Sequence, residues 1–445
     1  MGEGEIRPQP DGLLLVSRRT RDMWLQHYPL LRNSAALRRF VAHVLVRPSI
    51  DAETGLTKIS DAALRGCGWN GAWPKLRKRL VEAGFRIEAT SPASGRCRCV
   101  RRFDCAVDLF AAVLRDLAET PVEALVSFAT GLPPQSGVAA CAQPVPEVLP
   151  LLERLHAQPA EAYAQAAREA DRIRREYGKS LERKPDVLAQ LARYAADPAP
   201  RYHAVAASPR MYTSHPAQNL PRGMRAEVLK RCHHVQVGSS RLHIAAWLWD
   251  CPLLKARLES SIWPYLLEAS GVSRGDEPLV ETALYSIIDG ADRWTVRREL
   301  VRELGSAAAD AFLGLPEIRE LLDRRDGRLE AIRNGVVLDA FGRELDASAW
   351  PKPGDAASKA RSVLEYQMQT YELALMLAVA EALEGVPIVA WLHDGLYYAC
   401  DTAAAREVAL RADAAAAAKG LELLGSPAIL EHWFAELRGC ARKTA

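Results

Sequence analysis

The stretch PIVAWLHDGLYYAC, residues 387–400, holds the residue types in this chain that come closest to chemistry. Residues 388–392 form an apolar run, His393 and Asp394 a polar pair, and a second apolar run begins after Gly395. Two strand-like runs joined at a glycine predict a β-hairpin. A carboxylate at such a hairpin is held rigidly and points out of the sheet, as a metal-binding Asp must be. Asp-Gly is also common turn chemistry, so the pair alone reads first as a surface turn. Two other groups invite a metal reading and do not support one. Cys97, Cys99 and Cys105 lack the spacing of the common structural zinc sites and have no His pair nearby. Cys232, His233 and His234 are adjacent, and adjacent side chains do not easily share a tetrahedral site, so they read as the approach to a strand. The sequence contains no phosphate-binding loop, Ser/His/Asp arrangement or dinucleotide glycine pattern.

Composition bounds the partners. A chain of 445 residues predicts two or three domains. With 49% hydrophobic and 25% charged residues, it is globular in composition. Net charge is only +3, so any nucleic-acid affinity has to come from a local basic patch. Residues 1–12 have neither a basic n-region nor an apolar h-region, which argues against a secretory signal. No stretch of about 18 uncharged apolar residues predicts a membrane span. Nine scattered cysteines suit a reducing compartment, and the cytoplasm is the expected location.

A flexible N-terminus is expected over 1–30. From there to 105 the order is helix, helix, turn, basic helix, β-wing, which is that of a winged helix. The helices are read at 35–47, 59–67 and 72–83. The wing is read as 85–89 paired with 98–103. On the third helix Leu76, Leu80 and Ala83 face inward, while Lys75, Lys78 and Arg79 face out. Residues 59–103 carry ten Lys/Arg and three Asp/Glu, about +7. Such charge on one helix and one wing suits duplex binding, the helix in the major groove and the wing on the backbone. Residues 106–200 are rich in Ala and Pro, with helices at 147–156 and 160–177, and read as a helical connector or thumb-like region.

The last segment, 201–445, carries an ordered set of motifs. They are SPRMYTSHPAQNLPRGMR from 208, VQVGSSRLHIAAWLWD from 235, ETALYSIIDG from 281, GVVLDAFGREL from 335, RSVLEYQMQTYELALM from 361, and the HDG hairpin. The set resembles the palm and fingers of the A-family, DNA polymerase I-like, single-subunit polymerases over residues 200–437. The resemblance implies an α+β fold with a small antiparallel palm sheet and helical fingers. It implies that Arg210, Gln218, Asn219 and Arg225 contact primer and template, and that Arg343, Arg361 and Gln369 do so nearer the active site. Tyr285 falls on the aromatic of the nucleotide-binding fingers helix. Asp394 falls on a catalytic, metal-binding Asp, and His393 lies near the primer end.

The departures are equally specific. Family members hold two metal ions mainly with two Asp on two palm strands. The first of these falls at Gln236, and a Gln carbonyl is a weaker Mg²⁺ ligand than a carboxylate. The fingers Lys that meets the incoming phosphates falls at Glu281, and an anion there repels a triphosphate. An Asn of the second palm helix falls at Glu365, and Gly395 stands where DNA polymerases carry a Glu. Groups that act as a unit do not fail by halves. The expectation is therefore a DNA- or RNA-binding protein with a degenerate polymerase core. It would serve replication of a phage, plasmid or mobile element, beside an active polymerase, and would need Mg²⁺ only if it were active. Two alternatives are a polymerase or terminal transferase that pairs Asp394 with Glu372, Asp289 or Glu281, and a winged-helix regulator whose polymerase resemblance is accidental.

Overall fold

The computed structural model describes residues 14–46, 73–83, 107–133, 144–181, 184–205, 207–213, 215–258, 262–351 and 354–435, together with the backbone at 56–60 and 97–101. Helices dominate, with small antiparallel sheets among them, an α+β architecture. The chain divides into two compact units. One comprises Met1–Cys141, Leu152–His203 and Tyr212–Cys232; the other comprises Ala142–Leu151, Ala204–Met211 and His233–Ala445. No helix of the described residues is long and apolar enough to cross a membrane.

In the first unit, β1 (Leu15–Ser17) pairs antiparallel with β4 (Leu125–Ser127), and β2 (Leu56–Ser60) with β3 (Cys97–Arg101). The helix Arg18–His27 starts at Ser17, whose side chain accepts the Thr20 amide, a normal N-cap. Its Trp24 is fully buried, edge-on to Phe128 with ring centres 5.6 Å apart, and donates its indole N–H to the Leu109 carbonyl at 3.2 Å. The helices Glu161–Tyr177 and Pro185–Ala196 pack together, the former matching the helix read at 160–177. Arg174 is fully buried there because its guanidinium donates to the Leu117 carbonyl at 2.9 Å and pairs with Asp171 at 2.5 Å.

The predicted basic helix is present as Trp73–Glu82. Leu76, Leu80 and Ala83 are buried and Lys75, Lys78 and Arg79 exposed, as its periodicity requires. The helix read at 59–67 is corrected in part. Ile59 and Ser60 end the strand β2, and residues 61–72 lie outside those described. The β-branched Thr57 and Ile59 favour a pleated strand, and pairing with β3 outweighs the local helical pattern. The strand predicted at 98–103 is observed as β3, paired with β2; the other half of the predicted wing, 85–89, lies outside the described residues.

β5 (Tyr202–Val205) and β6 (Ser208–Thr213) each cross the boundary between the units. The second unit holds β7 (His233–Val237), the hairpin β8–β9 (Val336–Leu338, Glu344–Asp346), and the predicted hairpin β10–β11 (Ile388–Trp391, Gly395–Tyr398). β12 (Leu430–Trp433) completes a four-stranded antiparallel sheet in the order β10-β11-β7-β12. Every residue of β10 and β11 is buried, which is why both read as unbroken apolar runs rather than alternating ones. His234 stacks between Tyr397 and Trp433, at 4.3 and 4.8 Å between ring centres, so Cys232-His233-His234 lead into a strand as expected. The 27-residue helix Ala356–Ala382 and the Ala-rich helix Thr402–Leu424 pack on one another.

Two glycines in this unit make opposite demands. A Cβ on Gly420 would lie 2.4 Å from the Ala428 nitrogen, whereas one on Gly327, in the middle of the helix Pro316–Asn334, would meet nothing within 4 Å. Gly420→Ala is expected to destabilise the protein by roughly 1–3 kcal/mol through overpacking. Gly327→Ala is expected to stabilise it by roughly 0.5–1 kcal/mol by removing helix-interior glycine. Denaturant midpoints of the two variants check both signs.

Candidate functional site

The site forms where β7 meets the 388–398 hairpin. β11 pairs with β7 so that Gly395 lies opposite Gln236, and the Val237 amide donates to the Asp394 carbonyl at 2.8 Å. β12, on the other side of β7, places Glu431 opposite Gln236. Residues directly opposite in an antiparallel pair share a face, so Gln236 lies between the bare Gly395 position and a carboxylate. A Cβ on Gly395 would stand 2.7 Å from both the Gln236 Cβ and the Val235 carbonyl oxygen. The pairing is too close for a side chain at 395, which accounts for one departure from the polymerase pattern. The structure therefore brings Gln236, on β7, beside Asp394, in the turn that leads into the neighbouring antiparallel strand β11.

After β7 the chain turns through Ser239, which has φ +44°, into the helix Ser240–Leu248. Ser240 donates to Oε1 of Glu372 at 2.8 Å, and the Arg210 guanidinium bonds the other oxygen. Glu372 is buried on the helix Ala356–Ala382. Burial alone would raise its carboxyl pKa, but Arg210, Arg241 and the two hydrogen bonds hold it below the usual range. Arg241, next in the chain, donates from Nη1 to both oxygens of Asp289 at 2.7 and 2.8 Å. Asp289 ends the helix Glu277–Ile288, so this ion pair ties that helix to the one following β7. The His393 ring is held neutral, its pKa lowered to about 4 by burial and by Arg210 and Arg241, against the opposing pull of Glu372. The Tyr285 hydroxyl is pushed upward, first by burial and then by Glu281, Asp394 and Glu372.

The other sequence-predicted residues are placed as follows. Gln369 is buried; it accepts from Ser208 Oγ at 2.9 Å and donates to Glu365 at 3.0 Å. Arg361 is exposed at its tip, and its stem covers Gly290, where a Cβ would come within 2.8 Å of Arg361 Cγ. Arg343 turns back on buried Asp339 at 2.8 Å and reaches Glu147 at 3.3 Å, which holds the loop of the hairpin β8–β9. In the first unit, Gln218 accepts the Thr213 amide at 3.0 Å, Asn219 donates to the His215 carbonyl at 3.1 Å, and Arg225 reaches the carbonyls of Gln218 and Leu220 at 3.4 Å. All three bind their own turn. Glu281 is exposed on its helix.

Ser240, Arg241 and Glu431 escaped the sequence reading. Glu431 was legible only through the pairing of β12, and Arg241 only through a partner 48 residues away.

The donor set does not fit a resident Mg²⁺. Gln236, opposite Gly395 and next to Asp394, is a neutral amide with Glu431 on its other side, while Glu372 is held by Arg210 and Ser240, and Asp289 by Arg241. Among the described residues no group of three or more His, Cys, Asp and Glu could hold a metal ion.

No protein-family model matches the chain, and no curated protein matches it. Among solved structures, one similar chain is the POL domain of Pol1 from M. smegmatis, in a complex with DNA primer-template and dNTP. The two are 13% identical, with 89% of this chain and 80% of that chain covered and a TM-score of 0.46. A likeness this remote carries no functional argument by itself.

Arg210→Met would leave the Glu372 carboxylate buried without its guanidinium. A loss of about 3–5 kcal/mol is expected, as for a broken buried ion pair, and adding Glu372→Gln should recover part of it. A double-mutant cycle of unfolding free energies checks this.

Proposed function

We propose that this chain is a nucleic-acid-binding protein built on a polymerase-like palm and fingers that no longer performs nucleotidyl transfer. The observation that carries the reading is the register of β11 on β7. Asp394, the residue matching a catalytic Asp, has Gln236 rather than a carboxylate beside it on the neighbouring strand. Two ions bridging an attacking and a leaving oxygen need anionic ligands from both strands. An amide and a single Asp are a poor substitute.

The ion pairs weigh against relocated ligands. Glu372 and Asp289, two candidates for a replacement carboxylate, are each engaged by an arginine. Glu281 occupies the position matching the phosphate-binding Lys and would repel a triphosphate. A nucleic-acid strand needs no such ligands, only cationic and stacking surfaces. The exposed Lys75, Lys78 and Arg79 on Trp73–Glu82 supply one such surface and support duplex DNA as the partner, held by a winged-helix-like N-terminal region. Any polymer synthesis that accompanies this binding then comes from an active partner enzyme.

Primer extension tests the proposal. With labelled nucleotides and Mg²⁺ or Mn²⁺, the wild-type chain should incorporate no more than Asp394→Ala. Robust incorporation that disappears in Asp394→Ala would overturn it.

A further inference from the structure

Trp294 reads from sequence as a core residue, together with Trp247, Trp249 and Trp263. The structure buries Trp249 and half-buries Trp247 and Trp263, but leaves Trp294 66% exposed, the highest exposure of any large aromatic among the described residues. It is the second residue of the helix Arg293–Leu304. The Arg298 guanidinium, one turn on, lies 4.6 Å from the ring centre. Beside the indole is a cavity of about 460 Å³, walled on its far side by the helix Pro316–Asn334.

The charges around this cavity are sorted by their partners. Asp292 caps the helix by accepting the Thr295 amide at 2.7 Å. Asp326 is paired at 2.7 Å with Arg325, which is buried and also donates to the Ala291 carbonyl. These contacts engage two of the three lining carboxylates within the protein. Exposed Arg293 and Arg319 then face exposed Asp323, and Arg324 and Glu320 line the adjoining hollow. Three Arg and three Asp line the cavity, so it is neutral by formal charge, and what it offers is the exposed guanidinium groups of Arg293 and Arg319 beside a large, open π-surface.

Bases stack on aromatic side chains without sequence preference, and a guanidinium strengthens the platform. In a duplex the base faces are already covered by their neighbours, so a lone exposed indole selects unpaired strands. We infer that the cavity beside Trp294 is a subsite for single-stranded nucleic acid, with a base stacked on the indole and neighbouring phosphates on Arg293 and Arg319. This rests on the nucleic-acid reading above but not on the loss of chemistry.

The test is fluorescence anisotropy on the full chain, with a labelled thymidylate dodecamer and a blunt duplex of equal length. Trp294→Ala should weaken single-strand binding by roughly 5- to 150-fold, the range for one stacked base. Duplex binding should stay within about twofold, and Trp294→Phe should retain most single-strand affinity. Arg293→Gln with Arg319→Gln should lower the single-strand salt slope by about 1.4, two phosphate contacts' worth. The inference is overturned if Trp294→Ala changes single-strand binding by less than twofold, or weakens strand and duplex equally. It is also overturned if thymidine monophosphate displaces the dodecamer at equal nucleotide concentration, which would make this a free-nucleotide site. Because Trp294 is exposed, its replacement should leave the fold intact. Any of these results with wild-type binding preserved would remove the subsite and leave the broader reading standing.

Discussion

The alignment of β11 on β7 governs the rest of the second unit. Antiparallel register is set two residues at a time, and a slip of one would turn every buried side chain of the pair to the wrong face. β11 is buried throughout and β7 at every residue but Gln236, with Leu396 opposite Val235 and Tyr397 opposite His234, so burial enforces the register strongly. The same register brings Gly395 against Gln236 too closely for any side chain at 395. What the sheet presents at this end is therefore limited to Asp394 from the turn, Gln236 from the central strand and Glu431 from the edge.

Charge around that end of the sheet is balanced mainly by the chain itself. A buried carboxylate is costly unless paired and hydrogen-bonded, and Glu372 has both, from Arg210 and Ser240. Arg241 and Asp289 form a second pair between the helices after β7 and before Gly290. In a two-metal enzyme carboxylates of this kind gain by meeting divalent cations. Here guanidinium groups fill that electrostatic role with fixed geometry. His393, held neutral by burial and the same two arginines, adds no charge.

Sequence alone disclosed the elements with strong local signals. The hairpin at 388–398 follows from two apolar runs around a glycine, and the helix Trp73–Glu82 from Leu76 and Leu80 at helical spacing. The juxtaposition of Gln236 with Asp394 was expected from motif order, and the strand pairing places them together. Other features had no local signal. Ile59 and Ser60 look helical beside Asp61 and Ala62 but form a strand, because pairing with residues 97–101 decides the matter. Gln218, Asn219 and Arg225 look like ligand-binding side chains, yet they satisfy backbone groups of their own turn. Trp294 resembles a core aromatic in sequence. Its exposure depends on where the helix Pro316–Asn334 passes, which no local pattern encodes.

The central claim is that residue 236 leaves Asp394 with half of a metal site. Manganese binding read by electron paramagnetic resonance, in wild type, Gln236→Asp and Asp394→Ala, tests it most directly. A second carboxylate on the adjacent strand should raise Mn²⁺ affinity about tenfold or more over a weakly binding wild type, consistent with the preference of hard cations for charged oxygen ligands. Tight Mn²⁺ binding by the wild-type chain that is lost in Asp394→Ala would contradict the account, because it would mean that the site is already complete with Gln236 in place.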